Sequence, residues 1–214
     1  FRIAILDPTL TLTQPRRVTA LTGIDALAHT LESYVTKSRN PASMAFGREA
    51  WRLIGGNLRQ VLQSPDDLEA RGAVQLGACF AGLAIENSML GAAHALANPL
   101  TANFGIPHGE AIGLMLPHVI RFNGVGYNQR YTELLESTAG MAGFPAAKSG
   151  ADGLAAFVTE LVALSDLPAQ LSQREVAADR LPALAVEAAK QWTAHHNPCE
   201  AGEAEMLALY TSAF

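Results

Sequence analysis

Asp25 and His29 stand four residues apart in the run Gly23-Ile-Asp-Ala-Leu-Ala-His-Thr-Leu-Glu32. On a helix, positions i and i+4 share a face, one turn apart. Their neighbours Ile24, Leu27 and Leu31 are apolar, so both polar side chains belong near a core. A carboxylate and an imidazole are costly to bury unless something pairs with them. A metal ion would satisfy both. A direct Asp–His hydrogen bond would too, and for this pair alone it is the better account, because D-x-x-x-H is a common accident. His94 and His108 shift the balance toward metal. His94 lies among small residues, Gly91-Ala-Ala-His-Ala-Leu96, which leave room for an ion and a substrate. His108 follows Pro107 at an expected helix start. A helix N-terminus disfavours the protonated imidazole, and only the neutral ring binds metal. One carboxylate oxygen with three imidazole nitrogens suits Fe(II) or Zn(II) and not Mg or Ca.

Other candidates are weaker. His118, in Leu116-Pro-His-Val119, reads as a core or capping histidine. His195, His196 and Cys199, in H-H-N-P-C, read as a surface turn before the last helix rather than a metal loop. Gly124-Val-Gly126 lacks a third glycine and a preceding strand, so it reads as a helix-ending turn and not a phosphate loop. There is no Walker motif, no G-x-S-x-G and no Cys/His pair arranged for nucleophilic catalysis.

The elements that must carry these residues are almost all helical. The opening segment is the exception: Arg2 to Leu6 reads as a short strand, closed by an Asp-Pro turn. With no initiator Met and nothing for that strand to pair with, the chain is expected to start within a larger protein. A helix from Pro15 to about Thr36 puts Val18, Leu21, Ile24, Leu27, Ala28 and Leu31 on one side. A second fits Ala42 to Leu62, with Met44, Phe46, Trp51, Leu53, Ile54 and Leu58 as core candidates. Ser64-Pro-Asp-Asp67 ends it and caps a third, Leu68 to about Met89. Ala73, Gly77 and Ala81 on that third helix form a small-residue face for close helix packing. A short helix Ala92 to Asn98, a turn, and a helix beginning at Pro107 follow. Further helices are expected near Asn128–Ala142, Ala151–Leu164, Arg174–Ala178, Pro182–Trp192 and Glu200–Thr211. Strand and helix do not alternate after Leu6, so no doubly wound sheet is encoded.

Composition narrows the class further. The 214 residues are 49% hydrophobic, 16% charged and 7% aromatic, which excludes disorder and suits closely packed helices. A net charge of −5 and a pI near 5.7 argue against a nucleic-acid surface. The longest apolar stretch, Leu76 to Ile85, is shorter than the roughly 20 residues a membrane helix needs. The N-terminus has no signal-peptide pattern. Two distant cysteines, Cys79 and Cys199, make a reducing cytosol the default location.

Two stretches resemble the iron-containing alcohol dehydrogenases. They are Thr22-Gly-Ile-Asp-Ala-Leu-Ala-His-Thr-Leu-Glu-Ser-Tyr34 and Gly91-Ala-Ala-His-Ala-Leu-Ala-Asn-Pro-Leu100, the latter continued by Gly-Ile-Pro-His-Gly-Glu110 and Leu-Pro-His-Val119. The resemblance is to the family's helical C-terminal domain and covers nearly the whole chain. It implies an all-α, bundle-like fold of the dehydroquinate synthase C-terminal type over residues 1–214. It also implies an N-terminal nucleotide-binding domain with a glycine-rich segment, absent from these residues. The metal ligands it implies are Asp25, His29, His94 and His108, with Fe(II) favoured over Zn(II).

The implied activity is hydride transfer between a small alcohol and its aldehyde or ketone, with NAD or NADP as cofactor. Metal would favour the alkoxide. The cofactor would be held through the absent domain, which leaves these residues inactive by themselves and homo-oligomer formation open. A glycerol-dehydrogenase-like or maleylacetate-reductase-like enzyme is the alternative within the superfamily, and a non-catalytic helical module the alternative outside it. Thr22, Asn98 and Phe104 are candidates to line the substrate cleft. Many relatives carry a histidine where Asn98 stands. An amide can hydrogen-bond but takes up no proton near neutral pH, which puts that proton route in doubt.

Overall fold

The computed structural model describes residues 3–144 and 150–214. Among them stand eight α-helices: α1 (Arg16–Val35), α2 (Pro41–Gln63), α3 (Leu68–Glu86), α4 (Ala92–Phe104), α5 (His108–Glu136), α6 (Gly150–Leu164), α7 (Leu181–Ala189) and α8 (Glu203–Ser212). The fold is all-α, as expected. Helix α1 is its hub, packed against α2, α3 and α5. Ile24, Leu27, Ala28 and Leu31 are wholly buried on the expected side, but Ala20, Ala26 and Tyr34 are buried as well. A helix covered on most sides can hold a polar face only where that face meets other polar groups.

Local chemistry explains the boundaries that position the site. Asn40 accepts from the Ala42 and Ser43 N–H groups, and Ser43 accepts from the Asn40 N–H, closing a capping box at the start of α2. Trp51 anchors α2: its indole N–H donates to Thr138 Oγ1 at 2.9 Å, and its ring packs against Phe144 and Phe157. Asp67 caps α3 through the Ala70 N–H at 3.0 Å. The small-residue face of α3 lies against α2. A Cβ on Gly77 would come within 2.6 Å of Ile54 Cγ1 and 3.0 Å of Leu53 Cβ.

The leading strand does not form. Residues 3–6 adopt no regular secondary structure, and Arg2 lies outside the described residues. A strand needs a ladder partner for its N–H and C=O groups, and the described residues hold no other strand. Asp7 instead accepts from the Thr9 N–H and caps a 3-10 turn, Pro8–Thr11.

One helix runs further than expected. Helix α4 does not stop at Asn98 but continues through Pro99 to Phe104, where Gly105 (φ 64°) ends it. Pro99 removes one helical hydrogen bond, yet it is buried between turns that bury Ala95, Leu96 and Leu100, and packing outweighs the loss. Gly124-Val-Gly126 stands close to its expected place at a helix end: the backbone leaves helical geometry at Tyr127 (φ −131°, ψ 26°), directly after Gly126, and α5 joins two helical stretches across that kink. Gly124 is needed there because Ala151 of α6 sits where its side chain would be.

Arg174–Ala178 forms no α-helix. It is spanned by two 3-10 turns, Leu171–Arg174 and Ala178–Arg180, on either side of Glu175 at φ 59°. The expectation about apolar length also needs correction: α3, at 19 residues, is long and apolar enough by length and composition to cross a membrane. In this fold one side of it packs along α2 and α1.

Candidate metal centre

Asp25 and His29 project from one face of α1, one turn apart, with Asp25 Oδ1 3.5 Å from His29 Nε2. Helix α4 delivers His94, whose Nε2 lies 3.4 Å from the same oxygen. The first residue of α5 delivers His108, with Nε2 at 3.5 Å. One carboxylate oxygen therefore faces three imidazole nitrogens from three helices. Asp25, His29 and His94 offer ligand atoms all within 4.8 Å of one another, as a metal site requires. His108 joins the cluster through Asp25 and is its most exposed histidine, at 37% of its side chain. The His29 and His94 rings stack at 4.9 Å.

Neither Asp25 Oδ1 nor His94 Nε2 has a hydrogen-bond partner, although both are buried. Orphaned buried polar atoms are rare and costly, and these two stand 3.4 Å apart without a well-formed hydrogen bond between them. An ion between them would satisfy both.

The electrostatics fit the same reading. Burial pushes the Asp25 carboxyl up, but the polar contact with His94 and the nearby imidazoles outweigh it, and the group stays ionised below its usual range. Burial lowers His29 and His108, despite the Asp25 charge, and so favours their neutral, ligating form. His94 behaves differently. Burial would lower it too, but Glu32 and Asp25 on either side raise it to about 9.

Packing sets the approach of α5 to α1. Gly109, immediately after His108, leaves no room for a Cβ, because the Leu21 carbonyl of α1 occupies that space. Glu110 is fully buried, with Arg17 at 2.5 Å and Arg174 at 2.6 Å from its two carboxylate oxygens. This clip ties the start of α5 to the start of α1 and to the segment beyond α6.

Three residues at the site had no assigned role in the sequence. Glu32 is buried, accepts from the Ala93 N–H at 2.7 Å, and lies 2.5 Å from His94 Nδ1. Its signal was available: Asp25, His29 and Glu32 fall at i, i+4 and i+7 of one helix face. Glu110 had no comparable signal, since both its partners are distant in sequence. Asn197 belongs to the segment that the sequence marks as a surface turn. It is 1% exposed, accepts from the Ala92 N–H at the start of α4, and pairs amide to amide with Asn123. The rest of that loop matches its expectation better, with His195 exposed and Cys199 a free thiol.

Asn98 lies one turn beyond His94 and donates to Gln191 Oε1 at 3.0 Å. Thr22 lines a cavity of about 170 Å³ beside Thr11, Gln14 and Thr19, and donates back to the Val18 carbonyl. Phe104 is half-buried at the end of α4.

His118 ties α5 to α8 through a 3.0 Å contact between Nδ1 and Ser212 Oγ. Burial and the neighbouring Arg121 hold it below the usual imidazole value. The unfolded chain therefore takes up this proton more readily than the folded one. Stability from the neutral ring is present above pH 6.5 and is lost as pH falls below it. His118→Gln is expected to flatten the decline in melting temperature between pH 7 and pH 5. An identical decline in both proteins would remove His118 from the account.

The comparisons with known proteins agree with the fold. The model of the Fe-containing alcohol dehydrogenase family, C-terminal, matches residues 19–214. The chain is 33% identical to the 1,3-propanediol dehydrogenase of Klebsiella pneumoniae over 216 residues, covering 99% of this chain and 55% of that protein. A crystal structure of 1,3-propanediol oxidoreductase superposes with a TM-score of 0.89 at 33% identity, covering 97% of this chain and 55% of that one. Sulfoacetaldehyde reductase from Bifidobacterium kashiwanohense, solved in complex with NAD+, superposes at 0.86 with 26% identity, covering 97% and 53%. The chain thus spans about half the length of the relatives it matches. With the family motifs on α1, α4 and α5 brought to one cluster, this chain belongs to the iron-containing alcohol dehydrogenase family and corresponds to its C-terminal region.

Proposed function

We propose that these residues form the metal-binding half of an NAD(P)-dependent alcohol dehydrogenase, with Asp25, His29, His94 and His108 as ligands of Fe(II). The observation that carries this reading is the Asp25 carboxylate oxygen facing three imidazole Nε2 atoms at 3.4–3.5 Å, with no other partner. The donor set suits Fe(II) or Zn(II), and membership of an iron-containing family favours iron. Lewis acidity at an alcohol oxygen, which favours hydride loss from the adjacent carbon to a nicotinamide, is the chemistry such an ion supplies when bound.

The chain's own residues do the positioning. Asp25 supplies the negative charge, and the histidines supply nitrogen donors from three helices held together by the core. Asn98, one turn past His94, hydrogen-bonds without exchanging a proton near neutral pH, so a proton leaving the alcohol takes another route. The nicotinamide cofactor is assigned to a nucleotide-binding region outside these residues, because the relatives are nearly twice as long. A small alcohol, aldehyde or ketone would then bind between that region and the metal face.

Anaerobic titration with Fe(II), and separately with Zn(II), tests the reading. One equivalent of metal is expected to bind, and no NAD- or NADP-dependent alcohol oxidation is expected from these 214 residues alone. A chain that takes up no divalent ion would favour a helical module without catalysis. Turnover by the pure chain would overturn the division of labour between the two regions.

A further inference from the structure

We propose that Glu32 is the positioning residue of this centre: it grips His94 at Nδ1 and thereby presents Nε2 to the ion. The inference rests on the metal reading above but concerns a residue that takes no place among the ligands. Glu32 uses both of its oxygens. Oε2 lies 2.5 Å from His94 Nδ1, and Oε1 accepts the Ala93 N–H at 2.7 Å. Neither is left over for an ion, so Glu32 is not a fifth ligand.

A carboxylate at Nδ1 can only accept, which places a ring proton on Nδ1 and leaves Nε2 as the nitrogen that can give its lone pair to an ion. The same grip fixes the backbone that carries the ring. Asn197 takes the Ala92 N–H at 3.2 Å while Glu32 takes the next one, so the first turn of α4 is held from two sides. Gly91 is required for this arrangement. A Cβ there would stand 2.9 Å from Asn197 Oδ1 and 3.1 Å from Glu32 Oε1. Ring orientation, tautomer and helix position of His94 therefore all depend on one buried carboxylate, 62 residues away in sequence.

Glu32→Gln keeps the shape and removes the second acceptor. Its amide nitrogen must face either the Ala93 N–H or His94 Nδ1, and the latter pushes the ring proton onto Nε2. In this chain, Co(II) is the probe. Its dissociation constant is expected to rise about 10- to 100-fold in Glu32→Gln, the usual effect of losing an outer partner of a metal-bound histidine. The visible Co(II) spectrum should change as well, a signature that a purely structural helix cap would not move.

A second measurement needs no variant. In the Zn(II)-loaded wild-type chain, nitrogen-15 NMR should show His94 protonated at Nδ1 and coordinated through Nε2. Equal Co(II) affinity and spectrum in Glu32→Gln, or coordination through Nδ1, would overturn the role of Glu32 alone. Failure of the wild-type chain to bind Co(II), or binding that survives Asp25→Ala, would instead overturn the metal reading beneath it.

Discussion

Asp25→Ala is expected to strip the chain of its divalent ion. The substitution deletes the oxygen that faces His29, His94 and His108 together, and with it the only carboxylate in the cluster not already committed to a partner. Loss of an outer-shell partner costs about 10- to 100-fold in metal affinity. Loss of the shared anionic ligand should exceed that range, so that no stoichiometric metal survives gel filtration. In an enzyme that also carries the nucleotide-binding region, alcohol oxidation should disappear with the metal.

Asn98→Ala provides the contrast. Asn98 stands on α4 one turn from His94, but its side chain is engaged with Gln191. Metal content should be unchanged, with any effect confined to rate or substrate preference. Elemental analysis of the two variants side by side decides the matter. Equal metal loss in both would place Asn98 among the ligands and break the division of roles.

Gly109→Ala is expected to have the largest effect on stability near the site. Its new methyl group would overlap the Leu21 carbonyl of α1, and backbone cannot rotate away as a flexible side chain can. Overpacking of this kind costs about 1–3 kcal/mol, a substantial part of a total stability of roughly 5–15 kcal/mol. The strain also acts along the line that brings α5 to α1, so Asp25 and His108 should separate and metal affinity should fall as well.

Gly113→Ala, one turn further along α5, is the control. There the methyl group would meet Val162 Cγ2 at 3.4 Å, an ordinary contact. Replacing a helical glycine should then leave stability unchanged or raise it by about 0.5–1 kcal/mol. Urea denaturation of both variants, with the metal-free and metal-loaded forms compared, reads the two effects separately. Equal stability of the two variants would show that the contact between α1 and α5 yields more readily than its geometry implies.

Much of the centre was legible in the sequence because its signals are local. Asp25 and His29 share a face by helical period alone, and the apolar residues around them mark that face as buried. The small residues about His94 and the proline before His108 are likewise readable without a partner. The all-helical class follows from the same periodicity. What could not be read depends on which helices touch. Glu32 was visible as part of the Asp25–His29 stripe, but its task exists only because α4 crosses α1 there. Asn197 lies 105 residues from the N–H group it accepts, and Glu110 meets arginines from opposite ends of the chain.

Local rules misjudged Pro99. Proline weakens an isolated helix, but α4 is buried around Pro99. The leading strand failed for the opposite reason. Its pattern was local, whereas a strand exists only when another backbone accepts its hydrogen bonds. Sequence alone determined which residues, Asp25, His29, His94 and His108, could come together as a cluster. Tertiary structure decided which carboxylate faces the three imidazoles and which one holds His94, because that choice is made where helices cross.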